Sequence, residues 1–212
     1  MKSQPVKRHW LDSVDHWSTP VMANFLWVLL SIPLVTMPLA AVGLLGVIFR
    51  WADGHNPQVF TVFVGTIRRT WLRCYLIVAA DLLIGGLVFL NLLIFQLMDM
   101  GDIMAFLSRG VTLFVAIMLV LVNIYALSLV SVWDAPLKQI IKFSIQLVFA
   151  QPLWTLATGF GIAAVLVFST IFPAGALVFV TGAVLAYIAC RGTWFVVRKY
   201  IPRHEFTFIE VD

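Results

Sequence analysis

Apolar residues run along this chain in long blocks, and each block stops at a proline, a glycine or a knot of charge. The longest runs cover Val21–Phe49, Trp71–Met98, Gly110–Trp133 and Pro152–Phe172, with a fifth ending near Cys190. Such blocks match the roughly 20 helical residues needed to cross a hydrocarbon core. A membrane β-barrel would instead show strands of about 10 residues with alternating polarity, a pattern this chain lacks. The expected fold class is all-α: a polytopic transmembrane helical bundle with four full spans and a broken N-terminal helix pair.

The break lies inside the first block, at Pro33 and Pro38. A proline within a helix removes a backbone hydrogen bond and clashes with the preceding turn. Thr36, two residues before Pro38, fits the N-cap of a new helix. The block therefore divides into helices at about Pro20–Val35 and Pro38–Trp51, forming a hairpin over residues 20–51. Each is short for a span, so the pair is either two thin crossings or a re-entrant hairpin.

Between the blocks, apolar and polar positions alternate at helical spacing. Residues 1–19 carry Trp10, Leu11, Val14 and Trp17 among Lys7, Arg8, Asp12 and Asp15, the mixture of a helix lying on headgroups. After the turn Asp53-Gly54-His55-Asn56-Pro57, residues 57–70 present Val59, Phe60, Phe63, Val64 and Ile67 as an apolar face. Residues 136–149 place Lys138, Lys142 and Gln146 on one stripe and Ile141, Ile145 and Val148 on another. Surface helix, span, span thus occurs at 57–133 and again at 136–190, before a polar tail at 191–212. No residue-level identity accompanies this repeated order.

Composition agrees with the pattern. Hydrophobic residues make up 62% of the 212, charged residues 11% and mean hydropathy is +1.01. A soluble domain carries roughly 25% charged residues to solvate its surface, so lipid must be the missing solvent. A net charge of +4 scattered over connectors gives no basis for a nucleic-acid partner. A cleavable signal peptide is not expected, because Pro38 and Leu39 stand where a peptidase needs small residues near Ala40 and Ala41.

Charge also predicts orientation, since Lys and Arg beside spans stay in the cytoplasm. If residues 20–51 double back, Lys2, Lys7, Arg8, Arg50, Arg68, Arg69, Arg73, Lys138, Lys142, Arg191, Arg198, Lys199 and Arg203 share the inner side. Only Arg109 of the 14 basic residues lies outside. Trp10, Trp17, Trp51, Trp71, Trp133, Trp154 and Trp194 fall at the same interface, and only Trp27 does not. Both termini are then cytoplasmic.

The stretch Ala23-Asn24-Phe25-Leu26-Trp27-Val28-Leu29-Leu30-Ser31-Ile32-Pro33-Leu34-Val35-Thr36-Met37-Pro38 resembles the YesL-like family of bacterial membrane proteins. The shared pattern is an Asn and a Trp ahead of Ile-Pro-Leu-Val-Thr-x-x-Pro, then a small-residue helix and an Arg-rich approach to the next span. The order of elements agrees over nearly the whole chain, and the motif covers about residues 23–45. Members of that family are often encoded beside sugar transport and carbohydrate-use systems. The resemblance implies an accessory role in carbohydrate uptake in the bacterial inner membrane and brings no catalytic residues with it.

Among candidate sites Asp81 stands first, about ten residues into a span, where an unpaired carboxylate costs several kcal/mol. It is either a proton or substrate site, or a clamp between helices, with Asn91, Asn123, Tyr125 and Thr158 as partners. The break at Pro33, Thr36 and Pro38 is either a binding site of the broken-helix kind or a plain turn, with Asn24 bonding across the hairpin. Gly159, Ala163, Gly182 and Ala186 form small-residue stripes that fit packing of the last two spans against each other. His9, His16, His55 and His204 are scattered, and Cys74 and Cys190 lack ligand spacing, so free thiols and no metal or cofactor are expected. No nucleophile, phosphate-loop or zinc-protease motif occurs. The expected function is a non-enzymatic accessory or regulatory subunit of a carbohydrate transport system, in contact with the lipid bilayer and with transporter subunits or a second copy. The alternative is a small stand-alone transporter or channel using Asp81 and the broken first helix.

Overall fold

The computed structural model describes residues 9–55, 57–97, 102–171 and 180–200, and the secondary structure among them is helical. The described helices are α1 (His9–Ser31), α2 (Met37–Ala52), α3 (Val59–Leu97), α4 (Asp102–Val132), α5 (Leu137–Ala150), α6 (Pro152–Ile171) and α7 (Gly182–Tyr200). A 3-10 turn at Leu34–Thr36 joins α1 to α2. Among the described residues, four segments are long and apolar enough to cross a membrane: Leu34–Ala52, Val59–Ile94, Phe106–Val132 and Pro152–Thr170.

The hairpin break falls where the prolines predict it, and Pro38 occupies the first turn of α2, a position that needs no amide donor. Thr36 differs from expectation only in its bonding. Its hydroxyl makes no cap bond to α2 but donates to the carbonyls of Leu30 and Pro33. Thr36 stands at the N-cap position of α2 as expected, but its hydroxyl satisfies acceptors released where α1 ends. Pro20, by contrast, lies inside α1. The surface segment of residues 9–19 and the first apolar run are therefore one helix, while residues 1–8 lie outside the described residues.

Helix α2 is the interior of the molecule. Val42 to Phe49 are all buried, because α1, α3, α4 and α7 surround them. Small side chains allow this close approach. A Cβ on Gly46 would stand 2.6 Å from Thr66 Oγ1, and one on Gly43 3.1 Å from Phe63 Cζ. Thr66 cannot easily yield, since its hydroxyl is bonded to the Val62 carbonyl at 2.7 Å. Gly46→Ala gains up to about 1 kcal/mol of helix propensity but overpacks this seam by about 1–3 kcal/mol. A lower thermal midpoint in detergent is expected for Gly46→Ala and none for Gly86→Ala, whose Cβ meets nothing within 4 Å. A Gly46→Ala protein as stable as its parent would show that Thr66 swings clear.

Helix α3 is continuous for 39 residues, about 58 Å at 1.5 Å per residue. The segment read as a surface helix at 57–70 thus runs into its span without a break. Its buried stripe is Val59, Val62, Phe63, Thr66, Thr70, Cys74 and Ile77, while Phe60 and Val64 of the expected face point outward. Only 6% of the most apolar window of α3 is buried, against 50% for the hairpin segment containing α2. Beyond Ile77, α3 and the facing part of α4, residues 103–120, leave the bundle as a two-helix arm. Its exposed positions include Leu82, Leu87, Phe89, Phe106, Val111 and Phe114.

After Trp133 the chain turns at Asp134-Ala135-Pro136 into α5. Lys138, Lys142 and Gln146 are exposed as expected. The anchored face is Ile140, Ser144, Leu147 and Val148, with Ile145 exposed. Helix α7 continues past Cys190, so Arg191, Arg198 and Lys199 are helical. The tight turn expected at Pro173 lies outside the described residues. At the opposite end, Asp53 receives Arg198 at 3.3 Å and Arg198 lies over the Trp194 ring, which ties α7 to the α2–α3 turn. Gly54 takes a φ of 87° in that turn, the left-handed conformation that glycine adopts without strain.

Candidate functional site

Polar groups cross the apolar interior along one line, the antiparallel seam of α3 and α4. At its base Arg73 Nη2 donates to Asp134 Oδ1 at 2.8 Å. Two turns further along, Asp81 stands opposite Asn123 of α4, near enough for the two side chains to interact. Near the far end Asn91 Nδ2 donates to Thr112 Oγ1 and, at 3.4 Å, to Ser108 Oγ. Thr112 passes its own proton to the Ser108 carbonyl at 2.7 Å. Positions rise along α3 as they fall along α4, so these pairs fix the register of two helices whose apolar faces alone would allow sliding. Interhelical hydrogen bonds of this kind contribute about 0.6–2 kcal/mol each in lipid.

Asp81 and Asn123 are therefore together, as expected, whereas Asn91 is separated from Asp81 by ten residues, about 15 Å of helix. Two other expected partners are engaged elsewhere. Tyr125 shares a 2.9 Å hydrogen bond with Thr155 of α6, and Thr158 donates to the Trp154 carbonyl. The broken hairpin meets α3 just above the base of this seam. Tyr75 donates its hydroxyl to the Val35 carbonyl at 3.2 Å, placing the tip two residues beyond Arg73 and six before Asp81. Leu34 and Val35 are 81% and 71% exposed there, so the tip is an apolar prow around a backbone turn.

Asn24 does not bond across the hairpin as expected. It is fully buried, and its Oδ1 accepts the Ala183 amide at 2.9 Å. That amide lies at the start of α7, just after the π-helical turn at Val180 and Thr181. Gly182 makes room, since a Cβ there would collide with Asn24 Oδ1 and stand 2.6 Å from Trp27 Cε3. The Asn and Trp of the N-terminal motif thus form a socket for the last helix. Their placement on one helical face, three residues apart, was visible in the sequence, but the glycine they receive is not local to them.

The small-residue stripes also find other partners. Gly159 faces Leu121 of α4 and Ala163 is exposed. Contact between α6 and α7 uses Gly161 against Ile188 and Gly192 against Thr158 instead. The thiols of Cys74 and Cys190 are free and buried, and Cys190 Sγ approaches the Leu45 carbonyl at 3.7 Å. No cluster of three or more potential metal ligands occurs among the described residues. Many hydroxyls are satisfied within their own helix, as Thr70, Ser128 and Ser144 show by donating to the carbonyl four residues earlier. Such local bonds let polar residues face apolar surroundings.

Residues 21–92 match a family described as protein of unknown function, DUF624. The match includes the Asn24–Pro38 stretch, the whole of α2 and most of α3. Over 206 residues the chain is 27% identical to the uncharacterized protein YesL of Bacillus subtilis (strain 168), covering 92% of this chain and 94% of that one. No solved structure matches.

Proposed function

With the chain placed among YesL-like proteins, we propose that it is a non-enzymatic subunit of the bacterial inner membrane that assists or regulates a transport system, with both termini cytoplasmic. The observation that carries this reading is the α3–α4 arm. From Tyr75 to Leu97 α3 is about 33 Å long, one hydrocarbon thickness, and as far as Ile94 its outer face is apolar and uncovered by the other described residues. Asn91, Ser108 and Thr112 of the arm meet each other across the seam, leaving apolar surface between Asp81 and Arg109 for the membrane helices of another protein. A carbohydrate as cargo is what the family resemblance implies. Purification in mild detergent is expected to bring transporter subunits down with this protein. A lone species under several detergents, or a complex containing only copies of itself, would count against an accessory role.

One observation favours the second reading, a stand-alone transporter or channel. Tyr75 brings the broken hairpin within six residues of Asp81 along α3, so an ionisable group and an irregular backbone share a neighbourhood, as in transporters with discontinuous helices.

A further inference from the structure

Where α1, α2, α4, α6 and α7 come together they leave a crevice of about 190 Å³. Among the described residues its walls include Trp27 of α1, Leu44 of α2, Ile124 of α4, Ile162 of α6 and Ala186 of α7. Apart from the Trp27 indole those walls are aliphatic, with no charge and no hydroxyl. Ala41 on α2 and Gly182 and Ala189 on α7 also border it. Small residues thus open a space here, whereas Gly46 closes a seam against Thr66. A cavity of about 150 Å³ with walls of this kind stays dry and takes an apolar guest the size of benzene. Water would find too few polar partners inside, and an empty crevice forfeits the close packing of a protein interior.

The mouth of the crevice shows what the guest is. Trp27, Ile124, Leu127, Ile162 and Leu185 are half-buried, so the space opens on the surface of the bundle. Ile124 and Ile162 lie in helices long and apolar enough to cross a membrane. One turn along the same faces stand Val120 on α4 and Leu166 on α6, exposed at 60% and 50%. The two helices are antiparallel, with Tyr125 on Thr155 and Leu121 against Gly159, so both residues lead toward the same end. The crevice is thereby continuous with the apolar surface that these spans turn to lipid. A neighbouring helix does not fit inside. Helix axes stay about 8–10 Å apart, and α6 already touches α7 through the 3.2 Å hydrogen bond from Trp154 to the Gly192 carbonyl. A flexible alkyl chain does fit, and acyl chains are the solvent at the depth of a span.

We infer that this crevice binds one acyl chain of a membrane phospholipid, recognised by its hydrocarbon and not by its headgroup. The site does not depend on the proposed accessory role.

The test uses the purified full chain in detergent, with native mass spectrometry to count retained phospholipid. Phosphatidylcholine and phosphatidylglycerol of equal chain length are expected to bind one per protein with the same affinity. Glycerophosphocholine, which carries the headgroup without chains, should not compete. Ala186→Leu places a larger side chain in the crevice and should weaken retention at least about tenfold. Ala163→Leu, on the exposed face of α6, should leave it unchanged. Competition by glycerophosphocholine, preference for one headgroup, or equal retention by Ala186→Leu and the parent would each overturn the site. So would a second copy of the chain bound in place of lipid. Should Ala186→Leu fail to fold, tryptophan fluorescence decides. Phosphatidylcholine brominated along its chains should quench a larger fraction in the parent than in Trp27→Phe, because the Trp27 ring lines the crevice. Equal quenching rejects the site.

Discussion

Substituting Asn24 by Leu is expected to destabilise the protein by about 1–3 kcal/mol, because the Ala183 amide is left buried without an acceptor. Gly182→Ala should cost as much from the opposite side. Its Cβ would meet both the Asn24 amide and the Trp27 ring, and a packed indole cannot yield as a flexible chain end does. The two changes share one socket, so their costs should not add. In an Asn24→Ala background, Gly182→Ala meets only the indole and should cost less than it does alone. The readout is the thermal midpoint in detergent for the parent, for Asn24→Leu, Asn24→Ala and Gly182→Ala, and for the Asn24→Ala/Gly182→Ala pair. Strict additivity, or an Asn24→Leu protein as stable as the parent, would mean that the first and last helices do not depend on this contact.

That socket also marks where sequence reasoning stopped. Features governed by neighbours in the chain were legible: the break between Pro33 and Pro38, the glycine turn after Asp53, and the exposed Lys138–Lys142–Gln146 stripe. Each follows from backbone chemistry or helical period over a few residues. The partner of Asn24 lies 159 residues away, and no local rule selects it. The surface face of 57–70 failed for a different reason. Apolar residues occupy most turns of that segment, so Phe60 and Val64 fit a buried stripe as well as Phe63 and Thr66 do. The choice was made by α2, whose glycines at 43 and 46 accept Phe63 and Thr66 and nothing larger. Arg68, Arg69 and Arg73 suggested a boundary between surface helix and span, yet arginine is a good helix former, and α3 runs straight through. Thr36 takes the expected N-cap position of α2, but its hydroxyl turns back to Leu30 and Pro33, since a hydroxyl at a junction can serve the carbonyls behind it as well as the amides ahead.

Asp81 separates the two functional readings by the way its substitutions behave. If the carboxylate is a clamp, Asp81→Asn keeps a hydrogen-bonding side chain opposite Asn123 and should leave stability within about 0.5 kcal/mol of the parent. Asp81→Leu removes that partner and strands the Asn123 amide at the seam, a loss of about 1–2 kcal/mol. Adding Asn123→Leu should then recover part of it, because two apolar side chains facing each other leave nothing unsatisfied. A transporter would behave in the reverse way. Protein reconstituted in liposomes would carry a flux of protons or solute, and Asp81→Asn would abolish it while the fold survived, since the amide cannot take up and release a proton. The expected result is the first pattern: no flux in the parent, a neutral Asp81→Asn and a rescue of Asp81→Leu by Asn123→Leu. The physical reason lies in the spacing of the seam. Arg73 meets Asp134 in the turn after α4, and Asp81 and Asn91 each face a polar group of α4 at successive depths; a ladder of that kind sets the register of a long apolar hairpin. A measured flux lost on Asp81→Asn would transfer the middle rung from architecture to transport.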